Sequence, residues 1–263
     1  MVDNRDDQQR LKFLQEYPLE GHCHGRFAFF STDSQFLQTL LPDDLVLAPQ
    51  SYSPPGQHPH LLMFNDTWLK SNLNLERIAA ASDSILNLHY NEFIVMLPYV
   101  QFKEPPYDEK GPYCYLPVLY LDSLLAVLGG RLFWEFNKEM AQFTVDPGSF
   151  NVIAENGTNP LVSGVSLMAG FLQPDKSIAN FQTIAPILEL PVIEHGPYGY
   201  VSSVYKIFFE NQDISPTGLD VNNSSCQYMP PGLLTSPAIT ENPLGSFLLD
   251  YDWKLSYIEF IKF

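Results

Sequence analysis

Lysine is scarce in this chain, and one lysine has unusual neighbours. The segment Gly129 to Phe143 reads GGRLFWEFNKEMAQF, so Lys138 stands among Phe133, Trp134, Phe136, Met140 and Phe143. Apolar surroundings disfavour the charged ammonium and lower its pKa. A neutral amine attacks ketones and forms Schiff bases. Read alone, the pattern also fits a surface lysine whose stem covers an aromatic face. Two histidine pairs are the other candidates for chemistry. His22-Cys23-His24 and His58-Pro59-His60 each set two imidazoles at alternate positions, which share a face on a strand and suit zinc. Neither pair has a third and fourth ligand at suitable spacing, so no metal is expected. No Gly-rich phosphate loop follows a strand. Gly164-Val165-Ser166 is no nucleophile elbow, because Met168 takes the place of the closing glycine.

Several parts occur in an order that resembles the acetoacetate decarboxylase family. They are Tyr90-Asn91-Glu92, Tyr120-Leu121-Asp122, an apolar run to Gly130-Arg131, and Phe136-Asn137-Lys138. The family pattern is Tyr-x-Glu, then Tyr-Leu-Asp, a short helix, Gly-Arg-Glu and aromatic-Pro-Lys-Lys. The similarity runs from Leu88 to Phe143. It implies that Lys138 is the Schiff-base nucleophile and that Glu92 lines the active site, where it would shuttle protons. It implies a cation for the substrate carboxylate, and Arg26, beside Phe27, Phe29 and Phe30, is the nearest candidate. Read alone, Arg26 also fits a core-edge arginine packed on aromatics and paired with Glu20. Trp134 and Phe136 would bind substrate in the aromatic pocket.

The chain departs from the family at three places. Glu139 stands where the family has its second lysine, Asn137 where it has proline, and Leu132 where it has glutamate. A cationic neighbour is one way to activate a lysine, as in acetoacetate decarboxylase itself. Here desolvation must carry the change, with Glu139 turned to the other face of its strand. The resemblance implies a lyase that decarboxylates a small-molecule β-keto acid, acetoacetate-like, through a lysine imine and enamine, without a cofactor. Two alternatives stand beside it: a Schiff-base aldolase or dehydratase, and a non-catalytic small-molecule-binding protein on the same fold. The changed neighbours Glu139 and Leu132 favour the binding protein modestly. The resemblance also implies a homo-oligomer.

The elements that must position these residues are mostly strands. Arg26 to Phe30 reads as a strand and Ser34 to Leu41 as a helix ended by Pro42; Asp6 to Glu16 reads as a short amphipathic helix. Ala48 to His60 reads as a surface loop. Ile85 to Val100 is extended, with Glu92, Ile94 and Met96 on one face and Phe93, Val95 and Leu97 on the other. Tyr113 to Leu121 returns beside it after a turn at Tyr107 to Pro112. Asp122 or Ser123 caps a helix over Leu124 to Leu128, ended by Gly129 and Gly130. Phe150 to Ala154 and Val162 to Met168 form strands around Asn156-Gly157. A helix is expected within Lys176 to Leu188 and late strands over Val201 to Glu210 and Phe247 to Phe263. Ile214 to Leu244 reads as a long excursion. Residues 1–263 thus form one α+β domain. The resemblance sharpens this to a curved antiparallel sheet closing to a cone-shaped, barrel-like core with a few short helices.

Composition sets the outer limits. The 263 residues carry 30 acidic and 14 basic side chains, a net charge of −16, which repels phosphate backbones and anionic headgroups. Nucleic-acid and membrane partners are therefore not expected. Hydrophobic residues make up 45% and aromatics 14%, enough for a sizeable core. Met1 to Arg10 is polar and lacks the apolar core of a secretory signal. Cys23, Cys114 and Cys226 are odd in number and far apart, as free thiols in a reducing compartment would be. Together these point to the cytoplasm.

Overall fold

Runs that are apolar at every step need cover on both faces of a sheet, and Tyr113–Leu121 is buried along its whole length. The computed structural model describes residues 17–71, 87–104, 111–155, 157, 159–167, 181–210, 213–236 and 245–261. Its strands are β1 (Leu19–Asp33), β2 (Leu45–Leu47), β3 (Gln57–Ser71), β4 (Asn87–Phe102), β5 (Tyr113–Leu121), β6 (Lys138–Asp146), β7 (Ser149–Ala154), β8 (Pro160–Leu167), β9 (Val192–Gly196), β10 (Gly199–Ser203), β11 (Tyr205–Phe208), β12 (Ile214–Asn223), β13 (Gly232–Ser236), β14 (Ser246–Leu255) and β15 (Glu259–Ile261). Helices α1 (Ser34–Thr39) and α2 (Leu124–Phe133), a helical stretch over 181–184 and the 3-10 turn at Ala185–Glu189 that follows it complete the described elements.

Nine strands close a ring in the order β4, β5, β6, β7, β8, β12, β14, β1 and β3, with β3 pairing β4 again. Neighbours in the ring are antiparallel except β5 and β6, which are parallel. Parallel neighbours need a crossover connection, and α2 supplies it. β9 also runs parallel to β5, alongside Cys114 and Tyr115, while β6 joins β5 farther on at Leu119 to Leu121. Two strands therefore meet end to end along one edge of β5, and Lys138 begins the second of them.

Alternation along β4 separates two of the three clusters in the interior. Ile94 and Met96 of β4 pack with Phe27, Trp134, Phe136 and Tyr251, whereas Phe93 and Val95 pack with Phe30, Phe64, Phe150 and Val152. This is the two-faced pattern expected for β4 up to Met96; Leu97, beyond a register shift against β5, packs instead in a third cluster with Leu37, Val100 and Phe102. Among the described residues no helix is long and apolar enough to cross a membrane.

The structure amends several elements. α2 runs through Gly129 and Gly130 to Phe133, and the Trp134 N–H closes it on Gly130 O at 3.1 Å. Ser123, not Asp122, is its N-cap; Asp122 instead accepts the Asn91 backbone and side-chain N–H groups, each at 2.8 Å. Gln57 to His60 belong to β3, where Pro59 pairs on the β1 side only, so its missing N–H leaves no bond to β4 unmade. The excursion at Ile214 to Leu244 contains β12 and β13, because Leu219 and Val221 alternate into the core. Val201 to Glu210 divides into β10, paired with β9, and β11, paired with β14. The expected helix over Asp6 to Glu16 and most of the turn at Tyr107 to Pro112 lie outside the described residues.

Candidate active site

Lys138 is positioned by its backbone before its side chain. Its N–H donates to Phe136 O at 2.9 Å, and its carbonyl accepts from Arg131 Nε at 2.6 Å. Asn137 ties the same turn to β5: its side chain donates to Pro117 O at 2.6 Å, and its carbonyl accepts from the Leu119 N–H at 3.0 Å. Glu135, at φ 54°, makes the left-handed step that turns the chain out of α2. Alternation then aims Lys138 toward the first cluster and Glu139, which is exposed, toward the second face. The aliphatic stem of Lys138 lies over Gly130. A Cβ built there would stand 2.4–2.8 Å from Cδ, Cε and Nζ of the lysine. The glycine inside α2 is the space the lysine needs.

The amine reaches a cavity of about 140 Å³ lined mostly by apolar side chains, among them Met63, Ile94, Leu119, Phe133, Trp134 and Phe136. Nζ stands 5.9 Å from the centroid of Phe136. Trp134 is fixed by its indole N–H, which donates to Ser256 O at 3.0 Å. Glu92 enters from β4, and among the described lining residues Glu92 and Lys138 are the only charged ones. Glu92 Oε1 accepts from Asn65 Nδ2 at 3.0 Å and from Thr67 Oγ1 at 3.2 Å. Thr67 spends its one proton on Glu92, so Cys23, 3.2 Å away, donates its S–H to Thr67.

A third ionisable group stands behind the lysine. Glu194 of β9 is wholly buried, and its Oε2 accepts the Asn137 N–H at 2.6 Å while Oε1 has no hydrogen-bond partner. Burial dominates all three groups. It pulls the Lys138 amine down against the pull of Glu92 and then Glu194. It raises the Glu92 carboxyl, with Lys138, Asn65 and Thr67 opposing. It pushes Glu194 up to about 8, with the Asn137 N–H and Lys138 opposing. The arrangement can hold an amine nucleophile beside two carboxyls whose protonated forms are favoured by burial.

The structure brings together four of the five residues expected at the site: Lys138, Glu92, Trp134 and Phe136 line one cavity. It places Arg26 elsewhere. Arg26 sits one step from Phe27 on β1 and so faces the other side of the strand, where Nη2 donates to Asp146 O at 3.2 Å and Pro147 O at 3.4 Å. Sequence reasoning missed Glu194 and Gly130. The signal for Glu194 was an acidic residue in register with inward-facing Val192 in an apolar strand.

No family model matches the sequence, and no curated protein matches it either. Solved structures do match. Acetoacetate decarboxylase from Legionella pneumophila superposes with a TM-score of 0.57 at 14% identity, over 93% of this chain and 87% of that one. The chain has the acetoacetate decarboxylase-like fold. An acetoacetate decarboxylase-like enzyme from Sphingomonas wittichii RW1 matches at a TM-score of 0.55 and 12% identity, over 95% of this chain and 94% of that one. The enduracididine biosynthesis enzyme MppR, complexed with the condensation product of pyruvate and imidazole 4-carboxaldehyde, gives 0.58 at 11% identity over 94% and 90%. With this fold, the cone-shaped closed sheet expected from the resemblance is present.

Proposed function

We propose that the protein is a Schiff-base-forming lyase with Lys138 as its nucleophile. The observation that carries this reading is an amine whose charged form is disfavoured by burial, opening into an apolar cavity beside the buried Glu92. Lys138 Nζ adds to the carbonyl carbon, and the carbonyl oxygen takes up protons and leaves as water. The iminium carbon then accepts an electron pair from a neighbouring bond. In a β-keto acid that bond joins the carboxylate, so carbon dioxide leaves and a neutral enamine remains. The step removes one positive and one negative charge, and apolar surroundings favour it. Glu92 protonates the enamine carbon, and water frees the ketone and the amine.

A second reading keeps the imine and changes the bond broken. Lys138 is the only cation among the described lining residues, and Arg26 is bound elsewhere. A cavity without a separate carboxylate clamp also suits aldol or dehydration chemistry on a carbonyl compound. The condensation product held by MppR fits this reading.

Borohydride trapping separates the readings. Wild-type protein incubated with acetoacetate should gain the mass of a reduced imine at Lys138 and, when borohydride is left out, release carbon dioxide. Trapping without carbon dioxide favours the aldol or dehydration reading. Lys138→Met should not be labelled. No label with any keto acid or apolar ketone would leave a non-catalytic binding protein.

A further inference from the structure

The histidines at alternate positions near the start of the sequence gain partners from a strand more than two hundred residues away. His22 and His24 share a face of β1. β14 runs antiparallel beside them, with Asp252 opposite His22 and Asp250 opposite His24. His22 Nε2 lies 2.9 Å from Asp250 Oδ1, and His24 Nδ1 lies 3.0 Å from the other oxygen of the same carboxylate. His22 Nδ1 lies 3.0 Å from Asp252 Oδ1. Trp68 of β3 packs against both rings, with centroids 6.0 Å and 5.2 Å away, and limits their movement on that side.

We propose that His22, His24 and Asp250 bind a divalent transition-metal ion of the zinc class. The geometry is close to what such an ion needs. The three ligand atoms lie within 4.8 Å of one another. A tetrahedral zinc with bonds of about 2.0–2.1 Å spaces its ligand atoms by about 3.3 Å, a distance that small side-chain rotations reach. Among the described residues this is the group of histidine and carboxylate ligands that converges in this way.

Proton counting gives a separate reason. A neutral imidazole has one N–H donor and one lone pair. His22 faces a carboxylate oxygen at both ring nitrogens. A neutral ring can donate to only one of them, which leaves a lone pair against an anion. A cation between Nε2 and Asp250 removes that repulsion and uses both partners. Asp252 then takes the Nδ1–H, fixing the tautomer that points Nε2 at the metal, as a carboxylate behind a ligating histidine does. A second proton on the ring would also satisfy both carboxylates, so metal and proton are the two outcomes to separate.

The donor set selects the ion. Two imidazoles and one carboxylate suit zinc, copper or nickel, whereas calcium and magnesium take oxygen ligands. Three protein ligands leave a position for water. His24 and Asp250 are exposed and His22 is half-buried, so the ion enters from solvent. None of the three lines the Lys138 cavity, and the site stands or falls apart from the chemistry proposed there. The other pair does not qualify: His58 and His60 are buried, and His58 Nε2 is held by Pro98 O at 2.7 Å.

The test is calorimetric titration of the chelator-stripped full-length protein with zinc chloride near neutral pH. One zinc per chain is expected. His22→Ala, His24→Ala and Asp250→Asn should each abolish that binding. Asp252→Asn should weaken it by about 10–100-fold, the usual effect of losing an orienting partner. His89→Ala should leave it unchanged, since His89 stacks on Trp68 but pairs with Asp66. Copper(II) in place of zinc should show electron-paramagnetic coupling to two imidazole nitrogens, reduced to one in either histidine variant. No zinc binding by the wild type would overturn the proposal. So would undiminished binding by a folded His22→Ala, His24→Ala double variant. Should that variant misfold, the two-nitrogen copper signal of the wild type decides.

Discussion

Glu194 Oε2 accepts the backbone N–H of Asn137 at 2.6 Å, so a wholly buried carboxyl on β9 holds the residue that precedes Lys138. The contact exists because β9 and β6 meet end to end along β5. It places the lysine between two carboxyls, Glu92 toward the cavity and Glu194 behind. Both favour the ammonium, and burial disfavours it more strongly.

This carboxyl should make stability depend on pH. Its folded pKa is pushed up from 4.5 to about 8. Below the unfolded value both states are protonated, and the stability is fully present. As pH rises toward 8 the unfolded carboxyl ionises first, so stability falls, and the loss is complete above the folded value. The expected loss is on the order of a few kcal/mol, since each tenfold difference in proton affinity between the two states is worth about 1.4 kcal/mol. Glu194→Gln should flatten the slope. Urea denaturation across this range checks it, and an unchanged slope in the variant would remove Glu194 as its source.

Gly130→Ala tests the space the lysine occupies. Alanine is the better helix former by about 1 kcal/mol, so α2 itself should gain. The added Cβ meets the Lys138 stem at 2.4–2.8 Å, and the amine must move. A displacement of about 1 Å at a reacting group can cost 10²-fold in rate. The expected outcome is a native circular-dichroism spectrum with imine trapping slowed by at least about tenfold. Wild-type trapping rates would show that the amine does not need this position.

Much of this site was legible in local order. Tyr90-Asn91-Glu92 lies on β4 and Lys138 opens β6, strands whose alternation says which side chain faces the cavity, and Glu92 and Lys138 line one cavity because β4 and β6 flank β5. The helix runs past Gly129 and Gly130 against expectation, because a glycine pair that ends a helix looks the same in sequence as one that admits a lysine. Arg26 is one position off the inward face, and only the registry with β3 and β14 settles which way that strand turns. Glu194 carried only the hint of a carboxyl in step with Val192, and Asp250 carried none. Each acts through a strand pairing that joins distant segments, and no spacing in the chain encodes that.

Glu92→Gln should divide the reaction into its parts. The amine stays in the cavity, and without the carboxylate its pKa falls further, so imine trapping should persist. The steps that need a proton at carbon should slow by about 10²–10⁴-fold, the range for a general acid–base group. Stopped-flow trapping against steady-state turnover measures the two separately. Equal losses in both would mean that Glu92 only positions Lys138.

Glu139→Lys asks whether the residue in the place of the family's second lysine acts on the nucleophile. Glu139 pairs with Tyr120 across β5 and β6, and its charge is felt by Tyr120 and Cys226 in the second cluster. Lys138 is influenced by Glu92 and Glu194 instead. A charge reversal on the far face should leave the pH midpoint of borohydride-trapped imine where it is. Glu194→Gln removes a carboxyl that favours the ammonium only in its ionised form, so it should lower the same midpoint only if that midpoint lies near or above about 8, where Glu194 ionises. Running both variants in one assay makes the comparison internal. A midpoint that falls in Glu139→Lys would mean that position 139 reaches the amine after all. Activation of Lys138 would then depend on the charge beside it as well as on burial.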